Sequence, residues 1–140
     1  MTITPFGAAG EVTGSNWLLD SGSAKILIDC GAFQGDHEAA TKNQAPFHFD
    51  PRSIDAVVLT HAHLDHCGRL PSLTKAGFRG SIYCTPATRD LADITLKDAA
   101  GITNHHQLSS GRHGELHDLE YTLADVEQCL KQFRPIEYNT

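Results

Sequence analysis

The sequence predicts one α/β domain in which a mixed β-sheet is flanked by helices. Strand-like segments come first, and helix-like segments then alternate with further strands, which is the pattern of a layered α/β fold. The length of 140 residues suits a single small domain. A hydrophobic fraction of 40% with 20% charged residues is typical of a globular chain rather than a disordered one.

Three short strands are predicted in the N-terminal part of the chain. Residues 2–6 form the first strand, and the glycine-rich sequence at 7–10 ends it. Residues 16–20 and 25–29 carry apolar runs, and the turn sequence Asp20-Ser21-Gly22-Ser23 separates them. We therefore expect the second and third strands to form a hairpin.

The middle of the chain predicts a long functional loop over residues 30–51, followed by a strand at 54–60. The apolar run at 56–59 is typical of a strand that is buried on both faces. A short helix over 68–75 is predicted to end at Gly77, and a further strand occupies 81–85.

The C-terminal part of the chain predicts two more helices. One begins at Pro86, with Thr85 as its cap, and runs to about residue 100 with Leu91, Ile94 and Thr95 on one stripe. After a polar stretch at 101–120, a second helix begins at Thr122 with a capping-box-like Asp125. Its apolar stripe consists of Val126, Cys129, Leu130 and Phe133. Pro135 is expected to close this helix, and residues 136–138 to begin a strand.

Charge and hydropathy exclude several classes of function. Eleven Lys and Arg against seventeen Asp and Glu give a net charge of −6, so bulk charge does not make this chain a non-specific nucleic-acid binder. No stretch approaches the roughly 18 apolar residues that a membrane span requires. The N-terminus lacks the basic and apolar regions of a secretory signal, so we expect a cytoplasmic protein with no membrane partner.

The four cysteines, Cys30, Cys67, Cys84 and Cys129, include no C-x-x-C pair. A thiolate zinc site is therefore not indicated. Two disulfides are conceivable from the even number, but a cytoplasmic location favours free thiols.

The strongest chemical signal is the sequence His61-Ala62-His63-Leu64-Asp65-His66, which directly follows the apolar strand. Imidazole and carboxylate groups are the usual ligands of zinc and similar ions. Residues two apart at a strand end point the same way, so His61 and His63 can converge on one cation. Asp65 and His66 are displaced by the following turn and can serve a second cation nearby. The alternative is a solvated histidine-rich turn. With this composition, however, a chain of this length is expected to contain the pattern by chance only about 0.003 times.

With this motif and its flanks, the sequence resembles the N-terminal part of a metallo-β-lactamase-fold hydrolase, an αββα sandwich. The residues at 61–66 match the ligand motif of that superfamily, and Leu27-Ile28-Asp29-Cys30-Gly31 resembles its first motif. The flanks at 5–9, 11–15, 60–71 and 85–88 resemble the β-CASP branch of RNA-processing nucleases.

The resemblance implies specific roles. His61 and His63 correspond to ligands of a first zinc ion, and Asp65 and His66 to ligands of a second. Asp29 corresponds to an aspartate that orients a ligand or water, so Asp29 and Asp65 are the candidate catalytic residues. The implied reaction is zinc-dependent hydrolysis of phosphodiester bonds in single-stranded RNA.

The length of the chain, 140 residues, is shorter than the pattern of that family requires. Its third metal-binding histidine, its bridging aspartate and its β-CASP cap come later than the 61–66 motif and have no room here. We therefore expect residues 1–140 to be a partial metallo-β-lactamase domain with little activity of its own. One face of the sheet should expose apolar side chains among Ile26, Ile28, Val57 and Leu59, which would favour self-association.

Two alternative functions remain open at this point. A thioesterase, lactonase or β-lactamase shares the same His-Asp motif, and a non-catalytic metal-binding module would also fit an incomplete ligand set. The flanks favour the nuclease, and the number of tightly bound metal ions would separate an enzyme from a binding module.

Other polar residues have a plainer interpretation. His105, His106, His113 and His117 are expected in a solvated loop, despite the H-x₃-H spacing of the last two. Cys67 is expected to be a small core residue. Glu11, Thr13 and Ser15 either line the mouth of the site or belong to a plain turn. Lys42, Arg52 and Arg69 are expected to be solvated rather than bound to phosphate.

Overall fold

One mixed sheet organises the structure, a computed structural model that describes residues 1–35, 38–108, 119 and 121–138, with backbone only for 102–108. Within these residues six strands lie side by side in the order in which they occur along the chain. The strands are β1 (Thr2–Gly7), β2 (Asn16–Asp20), β3 (Lys25–Ile28), β4 (Ala56–Val58), β5 (Ser81–Cys84) and β6 (Phe133–Pro135).

The first three strands are antiparallel and the remaining pairs are parallel. β2 and β3 pair with Trp17 opposite Ile28, which confirms the predicted hairpin. β3 pairs with β4, β4 with β5 and β5 with β6, all in parallel. Parallel neighbours end at the same edge of a sheet, so the residues that follow β3 and β4 are brought together.

In the part of the chain that the structure describes, five helices pack against this sheet or connect its strands. They are α1 (Ala39–Gln44), α2 (Leu64–Cys67), α3 (Leu70–Lys75), α4 (Pro86–Leu108) and α5 (Leu123–Leu130), and a 3₁₀ turn spans Pro51–Ser53. The core forms where the helices meet the sheet, between Leu27, Val57, Ile82 and Phe133 of the strands and Leu70, Leu73, Leu96 and Val126 of the helices. The predicted α/β class is therefore confirmed.

The helix ends follow the predicted capping chemistry. The Thr122 hydroxyl accepts from the Asp125 amide, while the Asp125 carboxylate accepts from the Thr122 amide at 2.8 Å. This reciprocal pair is the capping box expected from the sequence. At the start of α4, the Thr85 hydroxyl accepts from the Thr88 amide at 3.2 Å.

Several predicted boundaries are wrong. The loop at 30–51 contains α1, and the helix at 68–75 is α3 alone, preceded by the separate α2. The strand at 54–60 is reduced to β4. Helix α4 continues to Leu108, beyond the predicted end near residue 100, because a single glycine such as Gly101 weakens a helix without ending it.

The final strand was also misplaced. It is β6 (Phe133–Pro135), so Phe133 belongs to it rather than to the helix before it, and it does not begin at 136. Proline is acceptable in β6 because this strand lies at the edge of the described sheet. The pairing continues one residue further, since the Ile136 amide donates to the Cys84 carbonyl at 2.8 Å.

The apolar stripe of α4 also differs from the prediction. Leu91 and Ile94 are 58% and 68% exposed, whereas Ala92 and Leu96 are fully buried. Both pairs of residues have helical spacing. The small Ala92 side chain allows the helix to approach the core more closely, so the face with Ala92 and Leu96 is the buried one.

The opposite side of the sheet carries apolar side chains that no described element covers well. We call this the open face and define it by Ile26, Ile28, Val58, Tyr83 and Ile136. The last three are 41%, 37% and 48% exposed, and the two isoleucines are half-buried. The interpretation of the 56–59 run as a strand buried on both faces is therefore wrong.

The expectation that Val57 and Leu59 would be exposed is also wrong. They are 0% and 2% exposed because alternation along the strand points them towards the helices. An exposed apolar face exists, but Val58 rather than its neighbours belongs to it.

All four cysteines are buried free thiols, as expected. Burial raises the pKa of Cys30 and of Cys129 to about 12, so both stay protonated at neutral pH. None of the described helices is both long and apolar enough to cross a membrane.

Candidate metal centre

The residues of the predicted ligand motif lie where three segments meet. Asp29 directly follows β3, the segment from Thr60 to His63 follows β4, and Asp65 and His66 lie on α2. The parallel pairing of β3 with β4 places the first two segments at one edge of the sheet. We call His61, His63, Asp65 and His66 the metal centre.

The three imidazole rings converge. The His61 ring centroid lies 4.6 Å from that of His63 and 4.0 Å from that of His66. His63 is exposed and the other two are partly exposed, so the rings remain accessible from solvent.

The donor types and one spacing fit a cation. Nε2 of His66 lies 3.6 Å from Oδ2 of Asp65. Two ligands about 2.0–2.1 Å from a tetrahedral zinc ion are roughly 3.4 Å apart, so this pair can share one ion. Within the described part of the chain, no three His, Cys, Asp or Glu side chains are arranged around one cation. The donors therefore suit part of a zinc site, and the described residues do not complete its coordination.

Asp29 is the point on which the surrounding hydrogen bonds converge. Its side chain is almost fully buried, and its carboxylate accepts from the Thr60 amide and hydroxyl at 2.9 Å each. It also bonds to Nδ1 of His66 at 2.7 Å and accepts from the Ser15 hydroxyl at 3.2 Å. An ionised carboxylate only accepts, so Nδ1 of His66 carries the proton and Nε2 keeps its lone pair for a metal.

The same argument extends from Asp29 through Thr60 to His61. Thr60 donates its hydroxyl proton to Asp29, and its oxygen lies 3.0 Å from Nδ1 of His61. The hydroxyl has one proton, so Nδ1 of His61 is the donor in the second bond. One buried carboxylate thus selects the tautomer of both histidines that leaves Nε2 available as a ligand.

The electrostatics of His61 favour the same state. Partial burial lowers its pKa, and the neighbouring His66 and His63 lower it further. The neutral imidazole, which is the metal-binding form, is therefore favoured at neutral pH.

The backbone around Asp29 is held in an uncommon conformation. Its φ of 61° lies in the left-handed region, which asparagine and aspartate adopt more readily than other non-glycine residues. The Asp29 amide donates to the Val58 carbonyl at 3.0 Å, and the side-chain bonds hold the rest of the residue in place.

Backbone hydrogen bonds join α2 to the segment after Asp29 and to the segment that precedes β2. The Cys30 amide donates to the His66 carbonyl at 2.9 Å, and the Ser15 amide donates to the Asp65 carbonyl at 2.8 Å. Gly31 lies between these contacts, and a Cβ there would overlap the Asp65 carbonyl oxygen. The close approach that positions Asp65 therefore requires glycine at position 31.

The other polar residues that the sequence singled out have different environments in the structure. Glu11 pairs with Lys42 at 2.9 Å, so this lysine is not simply solvated. Thr13 bonds to the backbone of Gln34, with its hydroxyl donating to the carbonyl at 3.2 Å and accepting from the amide at 2.9 Å. Arg52 is exposed as expected, and Cys67 is a core residue whose thiol donates to the Ala62 carbonyl at 3.5 Å.

Two residues were misjudged or missed from the sequence. Arg69 is 7% exposed, so the expectation that it is solvated is wrong. Thr60 had no predicted role, although a hydroxyl directly before the first histidine of the motif was a usable signal. The predictions for His113 and His117 lie outside the described residues, as do those for the side chains of His105 and His106.

The chain is similar to known proteins along most of its length. A family model described as the Metallo-beta-lactamase superfamily matches residues 9–123. The chain is 49% identical to ribonuclease TTHA0252 of Thermus thermophilus over 138 residues, covering 99% of this chain and 28% of that protein. It is 36% identical to transcription termination factor FttA of Methanocaldococcus jannaschii over 141 residues, covering 97% of this chain and 20% of that protein.

The similarity extends to a eukaryotic protein and to a solved structure. Integrator complex subunit 11 homolog of Dictyostelium discoideum is 30% identical over 96% of this chain and 18% of that protein. The crystal structure of MEM-A1, a subclass B3 metallo-beta-lactamase, matches with a TM-score of 0.48 and 16% identity, over 89% of this chain and 40% of that one. The chain spans less than a third of the length of these three curated relatives.

Proposed function

The chain belongs to the metallo-beta-lactamase superfamily, and we propose that it carries the first ligands of a metal-dependent phosphodiester hydrolase that acts on RNA. Membership of this superfamily implies a divalent metal ion, and we propose zinc, with RNA in single-stranded form as the substrate. We further propose that the chain belongs to the β-CASP branch and acts in the cytoplasm.

One observation carries the proposal. The buried Asp29 carboxylate holds His66 directly and His61 through Thr60, so that Nε2 of each ring is left without a proton. A purely structural histidine cluster has no need for two rings to be held in the same tautomer. This arrangement supports a centre that binds metal through Nε2.

The residues of the chain divide into ligands and positioning residues. We propose that His61 and His63 hold one ion and that Asp65 and His66 hold another. Bound divalent ions would activate water and stabilise negative charge on the reacting phosphate. Asp29 acts through the histidines it contacts and is therefore a positioning residue, which agrees with the orienting role that the family resemblance implies.

The choice of RNA over other substrates of this motif rests on the relatives. Ribonuclease TTHA0252 is 49% identical over nearly the whole chain, and the other two curated relatives are a transcription termination factor and an Integrator subunit homologue. We therefore favour phosphodiester hydrolysis over thioester, lactone or β-lactam hydrolysis.

A segment exchange tests this function. The matching N-terminal segment of the Thermus thermophilus ribonuclease, 28% of its length, would be replaced by this chain. We expect the hybrid to cleave single-stranded RNA in the presence of zinc or manganese. His63→Ala and Asp65→Asn should each reduce cleavage by at least about 100-fold, while Asp98→Asn, at an exposed position on α4, should not.

The controls address the alternatives. A folded hybrid that lacks RNA cleavage, or that hydrolyses a β-lactam, lactone or thioester faster than RNA, would contradict the proposal. The 140-residue chain alone should show little turnover of RNA or bis(p-nitrophenyl) phosphate, because its described residues do not complete a three-ligand site. Robust turnover by the chain alone, abolished by His63→Ala, would show that it completes its own centre.

A further inference from the structure

Four ring-bearing side chains form a continuous cluster between the end of β1 and the segment that follows α1. The Phe49 ring centroid lies 5.2 Å from that of Phe6 and 5.4 Å from that of Phe47. The imidazole of His48 joins the cluster through Phe6, because the two ring centroids are 6.2 Å apart and the planes are inclined by only 13°. We call Phe6, Phe47, His48 and Phe49 the aromatic cluster.

His48 is the member of the aromatic cluster that faces solvent. Phe47 and Phe49 are partly buried and pack against the core, and Phe6 is partly buried, whereas His48 is exposed. Parallel rings at this centroid distance are offset, so Phe6 holds the plane of the imidazole while covering only part of it. A flat ring whose orientation is fixed in advance loses less conformational freedom when another flat ring stacks on it.

The aromatic cluster lies at the same edge of the sheet as the metal centre. β1 is antiparallel to β2 and β2 is antiparallel to β3, so β1 and β3 run in the same direction. Phe6, near the end of β1, and Asp29, after β3, are therefore at one edge. Three strand spacings of 4.7–4.9 Å separate β1 from β4, which is about 14 Å. A short single strand that crosses the metal centre can reach the aromatic cluster.

Direct contacts fix the position of this cluster relative to the metal centre. Gly7, which follows Phe6, lies so close to the next segment that a Cβ there would overlap the Gly14 carbonyl oxygen. Ser15 comes next, and its hydroxyl donates to Asp29 while its amide donates to the Asp65 carbonyl. The cluster and the metal centre are thus joined through packed backbone.

The surroundings of His48 favour a base over a phosphate. Asp50, two residues further, is exposed, and the chain as a whole carries a net charge of −6. Both features disfavour a contact with an anion. Stacking of a base on an aromatic side chain needs no charge, and every base has a flat face, so this contact can contribute affinity to an acidic protein. The base must be unpaired and splayed out of a helix to be reached in this way.

We propose that His48, supported by Phe6, is a stacking platform for one base of a single-stranded RNA that is bound at the metal centre. This inference rests on the proposed function, because it takes RNA as the substrate. His48 binds the substrate and holds its position, and it has no part in the chemistry of the metal ions.

Binding is tested on the chain with a chelator present, so that no cleavage is required. The ¹H NMR signal of the His48 imidazole is assigned by its absence in His48→Phe. A single-stranded RNA without self-complementarity should move this signal upfield in a saturable manner, because a stacked base shields the ring. A strand of the same length that has phosphates but no bases should not move it upfield.

Three variants of His48 separate stacking from charge. His48→Gln should weaken RNA binding at least about fivefold, and His48→Phe, which keeps a flat ring, should bind within about twofold of the original chain. His48→Lys, which supplies a positive charge without a ring, should bind as weakly as the glutamine variant. Ile94→Gln is the matched control, because this side chain is 68% exposed on α4 and should not affect RNA binding.

The hybrid with the Thermus thermophilus ribonuclease shows whether the platform is used in the longer protein. His48→Gln should raise KM for single-stranded RNA about fivefold and leave kcat unchanged, because stacking stabilises the bound substrate and the transition state equally. Zinc affinity should be the same in both hybrids. A merely structural role of His48 would instead alter kcat or zinc affinity, and would overturn the proposal.

The remaining outcomes distinguish this proposal from the proposed function. RNA cleavage with an unchanged KM after His48→Gln would overturn the platform and leave the proposed function standing. A folded hybrid that binds RNA through His48 but does not cleave it would contradict the proposed function alone. An upfield shift that the strand without bases also produces, or binding restored by His48→Lys, would show a contact with the phosphate backbone and would overturn the platform.

Discussion

Oδ2 of Asp29 lies 2.7 Å from Nδ1 of His66, although the two residues are 37 positions apart in the sequence. The bond joins the end of β3 to α2 across the edge of the sheet. The same carboxylate also contacts Thr60, which follows β4. The tertiary fold therefore brings the predicted metal ligands together. Loss of the Asp29 carboxylate should affect the positions of both His66 and Thr60.

Asp29→Asn should weaken metal binding more than it unfolds the chain. An amide in this position presents only one acceptor oxygen to donors that now use both, so neither His66 nor Thr60 is held as before. We expect zinc affinity to fall about 10- to 100-fold and stability to fall by about 1–3 kcal/mol. Competition with a chromophoric chelator measures the affinity, and Asp98→Asn is the control. Zinc affinity within twofold of the original would contradict the positioning role.

Thr60→Val and Thr60→Ser form a matched pair that tests the bond to His61. Valine keeps the shape of the side chain but removes the hydroxyl between Asp29 and Nδ1 of His61. We expect zinc affinity to fall about 10-fold in the valine variant and to be largely kept in the serine variant. NMR long-range ¹⁵N couplings of the metal-free chain report the His61 tautomer. An unchanged His61 tautomer in Thr60→Val would show that the Thr60 hydroxyl does not select it.

Gly31→Ala should disturb the metal centre through the backbone. The added Cβ would overlap the Asp65 carbonyl oxygen, so α2 must move away from the segment that follows β3. We expect a loss of about 1–3 kcal/mol in urea unfolding, together with weaker zinc binding. Gly101→Ala is the control, because nothing lies within 4 Å of its Cβ position and alanine favours the helix. Equal stability of the two variants would show that the contact at Gly31 can relax.

The capping box of α5 predicts a pH dependence of stability. The Thr122 amide lowers the pKa of Asp125, so its carboxylate is favoured in the folded state. The resulting stabilisation is present above the unfolded pKa of aspartate, about 3.9, and is lost as the pH falls through the lower folded value.

Urea unfolding at several pH values tests this dependence. Asp125→Asn should be destabilised at pH 7, and its difference from the original chain should shrink below about pH 3.5. Thr122→Ala, which removes the other half of the box, should cost about 1 kcal/mol at pH 7. A difference for Asp125→Asn that does not change with pH would contradict the assignment.

The open face predicts self-association of the isolated chain. Val58 and Tyr83 expose apolar surface beside each other on adjacent strands. Replacing both with threonine should reduce concentration-dependent sedimentation while preserving the strands, because threonine suits β-structure. Leu91→Gln with Ile94→Gln removes exposed apolar surface from α4, where the two side chains are 58% and 68% exposed, and should have no effect. An equal effect of the two double variants would contradict association through the open face.

The sequence predicts the existence of most elements, but not which face of an element is covered. The capping pair Thr122–Asp125 and the hairpin of β2 with β3 depend on neighbours close in the chain, and both are confirmed. Val58 and Leu91 belong to patterns that allow either face to be buried. Only the packing of distant elements decides between the faces, so both residues were assigned to the wrong environment.

The same limit applies to the site. The ligand motif is local and visible in the sequence, whereas the bond of Asp29 to Thr60 and the burial of Arg69 arise from contacts over 24 to 31 positions. The resemblance to a known family supplied Asp29, since local spacing alone does not connect it with the histidines. Arg69 has no comparable signal, because an arginine after a helix turn is usually exposed.

The order of the strands has a consequence for synthesis of the chain on the ribosome. Among the described strands, each one from β2 to β6 pairs with the strand that precedes it in the sequence. A strand that leaves the exit tunnel therefore finds its partner already formed, and the sheet can grow in one direction from the N-terminus. The strand at the C-terminal edge of the described sheet, β6, contains Pro135. Pro135 cannot donate a backbone hydrogen bond, which limits pairing with a stray strand from a neighbouring nascent chain at this growing edge.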